Sequence, residues 1–196
     1  MKEEPMKTDR RDFIKMMTTG TLAASLGSLR VSAQEDAPKT GPEDVSQKDR
    51  VMEALSNMQK YGSCCTGVLA TYSPELGIEK ELAAGLGRGM AGGIGGSGHV
   101  CGAVSGAALV IGLKTTNPDN IADIAAGFKS METSMEFVSR FKEKHSSIQC
   151  RDLIGHDIST QEKSMAAMKA NAFANCPKFI ETAVTILDDI FSREKT

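Results

Sequence analysis

Five cysteines are the residues of this chain with the most chemistry to offer, and four of them, Cys64, Cys101, Cys150 and Cys176, stand far apart at the edges of apolar helical segments. Thiolate sulfur is a soft ligand suited to iron–sulfur clusters, zinc or copper(I), and four thiolates are the usual complement of a [2Fe–2S] or [4Fe–4S] centre. Scattered single thiols share one site only if the fold carries them together. There is no C-x-x-C, so neither thioredoxin-type nor zinc-ribbon spacing exists, and without C-x-x-C-H there is no c-type haem attachment. Cys176 precedes Pro177 and Cys150 precedes Arg151, so a helix N-terminus and a cation are expected to lower these two thiol pKa values.

The lesser candidates are Cys65, His99 and His156. Cys65 falls on an apolar stripe and reads as a core filler, since free cysteine is among the most buried residue types. His99 lies two residues before Cys101 and His156 just beyond Cys150, where either could replace a thiolate or tune a centre by a hydrogen bond. His145, in a charged tail, reads as surface. Asp152 reads as a cap or a partner of Arg151, and no Ser/His/Asp or paired-carboxylate spacing suggests hydrolytic catalysis.

The local sequences are Gly62-Ser63-Cys64-Cys65, Cys101-Gly102-Ala103-Val104-Ser105-Gly106-Ala107, Cys150-Arg151-Asp152-Leu153-Ile154-Gly155, and Cys176. In this order they resemble the C_GCAxxG_C_C family of redox-active proteins, over nearly all of the chain after its leader. The resemblance implies a small helical module whose cysteines hold an iron–sulfur or other metal centre. Cys65 departs from the family, which usually has Ala there, so either neighbour could serve as the ligand.

The N-terminal segment Arg10-Arg11-Asp12-Phe13-Ile14-Lys15 matches a twin-arginine signal, followed by an apolar stretch from Met16 to Leu29 and a cleavage-like Val31-Ser32-Ala33. Residues 1–33 therefore read as a signal peptide, with a periplasmic destination and membrane contact only through a leader left uncleaved. This export route carries folded proteins, often around a cofactor. The oxidising compartment beyond would equally allow disulfides. Residues 34–45, rich in Glu, Asp, Pro, Lys and Gly, read as a flexible linker.

Residues 46–196 read as one all-α domain, a bundle of about five helices with a glycine-rich loop. A long first helix is expected from Val51 to Tyr72 despite Gly62, and a second from Glu79 to Met90. The run from Gly85 to Gly98 contains a formal G-x-G-x-x-G, but no strand precedes it, so a dinucleotide site is rejected. Its glycines are expected to let backbone pass close to a neighbour or a bound cluster. Val100 to Leu113 reads as a buried central helix that Cys101 begins.

Asn117-Pro118-Asp119 reads as the N-cap of a helix that buries Ile121, Ile124, Phe128, Met131, Met135, Val138 and Phe141. Cys150 to Gly155 reads as a turn, and Ser159 with Glu162 as a capping box. Pro177 then splits the last helical stretch, whose buried face is Ile180, Val184, Leu187 and Phe191.

Three functions are compatible with these residues. The first is an exported electron-transfer protein with a Cys-ligated iron–sulfur centre. The second is a metal-free thiol–disulfide or sensor protein, and the third a binding module with structural disulfides or zinc. A net charge of -2 with no basic patch excludes nucleic acid as a partner. A redox partner is expected but not legible, and a glycine-rich segment beside a cysteine site would suit a homodimer interface.

Overall fold

The computed structural model describes residues 46–194. Helix α1 (Gln47–Tyr61) starts at Ser46, whose Oγ accepts the Asp49 N–H at 3.3 Å. It ends at Gly62, which takes the left-handed conformation at φ 83° and donates its N–H to Met58 O. The expected long first helix is thus two. Gly62 turns the chain, Ser63 caps a new helix by accepting the Thr66 N–H at 3.2 Å, and α2 (Cys64–Tyr72) begins at the cysteine. Such a cap stabilises a helix by about 1 kcal/mol, enough to favour a new start over continuation through glycine.

Helix α2 is buried along its length from Cys65 to Tyr72 and, with α4 (Gly102–Thr115), forms the centre of the bundle. Glycine makes the approach possible. A Cβ at Gly106 would lie 2.9 Å from Cys65 O and 3.1 Å from Val68 Cβ, closer than packed atoms tolerate. Between them come α3 (Lys80–Arg88) and a turn-rich glycine segment, in which Gly92, Gly93, Gly95, Gly96 and Gly98 all have positive φ. Helix α8 (Cys176–Arg193) closes the core with Ile180, Val184 and Leu187. Pro177 occupies its first turn, where the missing N–H costs nothing.

Three further expectations are corrected. The chain over Cys150 to Gly155 is a short helix, α6 (Cys150–Ile154), ended by left-handed Gly155. Helix α7 (Gln161–Lys169) is capped by Thr160 accepting the Lys163 N–H, while Ser159 donates its N–H to Asp157 Oδ1 in a tight turn. Helix α5 (Ile124–His145) starts at Asp123, which accepts the Ala125 and Ala126 N–H groups. Asn117 instead accepts the Asp119 N–H within the preceding turn. Among the described residues there are eight α-helices rather than about five, a 3-10 turn (Ala172–Asn175) and one isolated antiparallel bridge, Val100 to Gln149. The fold is all-α, as expected. The expected signal peptide (residues 1–33) and linker (34–45) lie outside the described residues.

The face that α5 buries also differs from the expectation. Thr133, Phe137 and Phe141 point into the bundle, whereas Ile124, Phe128, Met131 and Met135 are 62–75 % exposed. Ion pairs explain the choice: Lys129 reaches Glu194, Arg140 reaches Asp189 and Glu136 reaches Arg193, so the polar flank of α5 is the one that meets α8.

One ionic cluster ties four elements together. Arg50 of α1 pairs with Glu75, and its Nε lies 3.1 Å from Asp188 Oδ1 on α8. Lys114 of α4 reaches Glu75 Oε2 at 3.2 Å, and Tyr72 donates to Asp188 Oδ1 at 2.8 Å. Burial pushes the Glu75 pKa up, but the hydrogen bonds and charges of Arg50 and Lys114 prevail and hold it below its ordinary 4.5. A depressed carboxylate pKa contributes stability above about pH 4.5 that is lost as pH falls through the folded value. Asp188, raised chiefly by burial, contributes with the opposite sign, its share fading as pH rises through its folded value. Glu75→Gln is expected to cost about 1 kcal/mol at pH 7, a few degrees in Tm, with the deficit shrinking in acid. Thermal melts of the two proteins from pH 7 to pH 3 check this; a deficit that stays constant below pH 4.5 contradicts it.

Candidate functional site

The four dispersed cysteines meet at one cavity. Cys64, Cys101, Cys150 and Cys176 all line a space of about 300 Å³, whose remaining wall includes Met58, Gly92, Leu153, Ile154, Phe173 and Phe179. Each thiol arrives at a helix start: Cys64 opens α2, Cys150 opens α6, Cys176 opens α8, and Cys101 is the N-cap of α4. This is a consequence of local sequence. Ser63 stops α1 from running on, Pro177 fits only a first turn, and Cys101 sits where the glycine segment hands over to an apolar helix.

Two backbone devices set the spacing. The Cys101 N–H donates to Ile148 O at 2.8 Å and the Cys150 N–H to His99 O at 2.5 Å, the antiparallel bridge that holds the α4 and α6 starts side by side. Gly102 lets the α4 start pass the α2 start, because a Cβ there would lie 3.0 Å from Cys65 N and 3.2 Å from Cys64 Cβ. The first device joins Cys101 to Cys150 and the second joins Cys101 to Cys64.

The thiols are electrostatically unequal. The interaction between Cys64 and Cys176 lowers the Cys176 pKa and, with burial, raises that of Cys64 well above its ordinary value. Burial pushes Cys150 up to about 12, contrary to the expected lowering by Arg151. The reason is geometric: Arg151 turns outward, Nε donating to Gly98 O at 3.2 Å and Nη2 lying 3.0 Å from His99 Nδ1. Cys101 is raised by burial to about 11, partly offset by the nearby backbone N–H groups of Ala103 and Val104 at the α4 start.

The lesser candidates lie elsewhere. Cys65 is fully buried behind the cavity, its Sγ 3.3 Å from where a Gly87 Cβ would stand, and burial pushes its pKa up to about 12. His99 is exposed and faces Arg151; His156 is half-buried with Nδ1 2.9 Å from Ile154 O. Neither lines the cavity. His145, expected at the surface, is half-buried, 2.9 Å from Thr182 Oγ1 and set between Phe141, tilted against it, and Phe179, edge-on to it. Met58 and the two phenylalanines of the wall are the parts that sequence reading missed. Phe179 was within reach of it, one helical turn past Cys176.

The donor set is four soft sulfurs on the wall of one cavity. A closed tetrahedral zinc site draws four ligands to about 2.3 Å from one metal. Among the described residues no three His, Cys, Asp or Glu side chains stand close enough to hold one ion. The cavity, with room for roughly ten waters by their usual share of volume, has four thiols on its wall and an apolar remainder. Soft thiolates around an apolar space of this size fit an iron–sulfur cluster.

A helical domain with four thiols on one cavity is the architecture of a redox module. A family model described as "Putative redox-active protein (C_GCAxxG_C_C)" matches residues 62–190, more than half of the 196-residue chain, and the protein belongs to that family. The matched span contains all five cysteines. No curated protein and no solved structure matches the chain.

Proposed function

We propose that the protein is an exported electron-transfer protein that holds an iron–sulfur cluster on Cys64, Cys101, Cys150 and Cys176. The observation that carries the reading is the convergence of these four thiols, from four helix starts, on a single apolar cavity. A bound cluster would supply one-electron transfer. The chain's residues supply the rest. Met58, Leu153, Ile154, Phe173 and Phe179 keep the thiols out of bulk water. The backbone N–H groups of Ala103 and Val104, near Cys101 at the α4 start, favour added negative charge there, which raises a reduction potential. The α2, α4 and α8 N-termini act in the same direction through their dipoles. Because burial raises Cys101 and Cys150, and Cys176 with burial raises Cys64, loading displaces protons and strengthens as pH rises towards those values.

The twin-arginine-like leader supports the periplasm as destination, because that route accepts a protein already folded around its cofactor. The redox partner is a protein or small carrier that approaches the cavity mouth. The test is anaerobic purification followed by visible spectroscopy with iron and acid-labile sulfide analysis. Broad visible absorption that bleaches with dithionite, and iron matching sulfide, is expected. A protein that stays colourless and iron-free after anaerobic reconstitution overturns the reading.

One observation favours a second reading, thiol–disulfide chemistry without metal. Cys64 and Cys176 stand on the wall of the same cavity, and their interaction holds the Cys176 thiol below its ordinary pKa. In that case Cys176 as thiolate attacks an external disulfide and Cys64 resolves the mixed disulfide, releasing two reduced thiols from the substrate. The metal-free protein would then alkylate first at Cys176 and form a reversible Cys64–Cys176 disulfide, both read by peptide mapping.

A further inference from the structure

We infer that α5 is a dimerisation helix, and that two copies of this chain pair through it antiparallel about a two-fold axis. The inference is independent of the redox reading and concerns the opposite kind of surface, the apolar residues that the bundle leaves outside.

Helix α5 has two apolar faces, one with Phe137 and Phe141 turned into the bundle and one left outside. Its charged residues Lys129, Glu136 and Arg140 are spent on α8, while Ile121, Ile124, Phe128, Met131 and Met135, 62–80 % exposed, face away from the bundle. Large side chains at such exposures present on the order of 100 Å² each, so the patch is on the order of 500 Å², above the few hundred ordinary for a monomer. With the exposed flanking Ala125, Gly127, Glu132 and Ser139 it approaches the roughly 800 Å² per partner of a stable interface. The area is that of a dimer contact.

The spacing says what kind of surface covers it. Along the exposed face of the helix Ile124, Phe128, Met131 and Met135 recur at four, three and four residues, the spacing of a coiled-coil seam and therefore of a surface for another helix, with Ile121 in the turn just before it. The seam is also self-complementary. With a two-fold axis between Lys129 and Ser130, Phe128 meets Met131 of the second copy and Ile124 meets its Met135, each a large side chain against a large one. Beside the seam stand Ala125, Gly127, Glu132 and Ser134, so this register brings no like charges together. A second copy satisfies area, period and charge at once.

The test uses the full chain. Sedimentation at tens of micromolar is expected to give twice the 20.9 kDa chain mass. Phe128→Lys and Met131→Glu are each expected to weaken the dimer at least about thirtyfold, as a lost interface hot spot does, with unchanged far-UV circular dichroism. Mixing the two variants restores a dimer, because in the antiparallel register Lys at 128 of one copy meets Glu at 131 of the other. Rescue by mixing is specific to that register. Hydroxyl-radical footprinting of the unaltered protein is expected to label Met131 and Met135 more slowly than Met52, although all three are 61–65 % exposed in one copy. A monomeric protein overturns the inference, whether those methionines are labelled freely or shielded by its own N-terminal segment. So does a dimer that both variants leave intact, or one that mixing does not restore.

Discussion

Cys101→Ala is expected to lose at least about ten-fold of its iron and sulfide, and Cys64→Ala, Cys150→Ala and Cys176→Ala the same, whereas Cys65→Ala keeps full loading. Removing even an outer-shell partner of a metal typically costs 10–100-fold in affinity, so loss of a ligand costs no less. The contrast between neighbours is the informative part. Cys64 and Cys65 differ by one position, yet Cys64 lines the cavity and Cys65 is sealed behind α2 with its sulfur towards Gly87. Cys65→Ala deletes a buried sulfur and is expected to cost about 1 kcal/mol in stability without touching the site. Iron and sulfide content per chain, measured on the five variants after identical anaerobic reconstitution, checks the pattern. Equal loading of all five contradicts it.

The second large effect is expected far from any thiol. Gly93→Ala is expected to destabilise the protein by about 3 kcal/mol or more and to abolish loading in whatever fraction remains folded. Gly93 has φ 72°, and a Cβ there would stand 2.5 Å from His99 N, 2.6 Å from His99 O and 2.8 Å from His99 C. All three atoms are backbone, so no side chain can swing aside. The His99 carbonyl is also the acceptor for the Cys150 N–H, which makes any shift of His99 a shift of Cys150 relative to Cys101. Gly95→Ala is the control, since that site has a similar φ of 59° and nothing within 4 Å. It pays only for backbone conformation, about 1 kcal/mol, and keeps its loading. Chemical denaturation and iron content of the two variants separate the steric clash from the left-handed conformation that they share.

The glycine segment shows where sequence reading succeeds and where it stops. Its composition was enough to expect close backbone approach, which Gly93 makes against His99. Which glycine meets which atom depends on the return of the chain at His99, and no local pattern states that. The thiols divide in the same way. That Cys101 begins a helix was legible from the apolar run after it, and that Cys176 starts one was legible from Pro177. That Cys150 has a raised pKa was not, because Arg151 is adjacent in sequence but turns to His99 and Gly98.

Helix α5 is the instructive failure. Periodicity marked the apolar stripe correctly and implied that it was buried within the chain, but periodicity describes a face without naming what covers it. The ion pairs from Lys129, Glu136 and Arg140 to the end of α8 decide the orientation, and those involve residues 49 to 65 positions apart that a window along the sequence does not join. The break at Gly62 was the opposite case. The information was local, a glycine followed by Ser63 three residues before Thr66, and the apolar spacing on either side concealed it.

The most direct test of the central claim, that four thiols form one redox centre, is a crystal structure of anaerobically prepared protein with anomalous data at the iron edge. The account predicts a strong anomalous peak inside the cavity bounded by Met58, Phe173 and Phe179, bonded to Cys64, Cys101, Cys150 and Cys176, with Cys65 and His99 unbound. No iron in that cavity, or iron held by another set of residues, would contradict it. A Cys64–Cys176 disulfide in its place would point to thiol exchange instead.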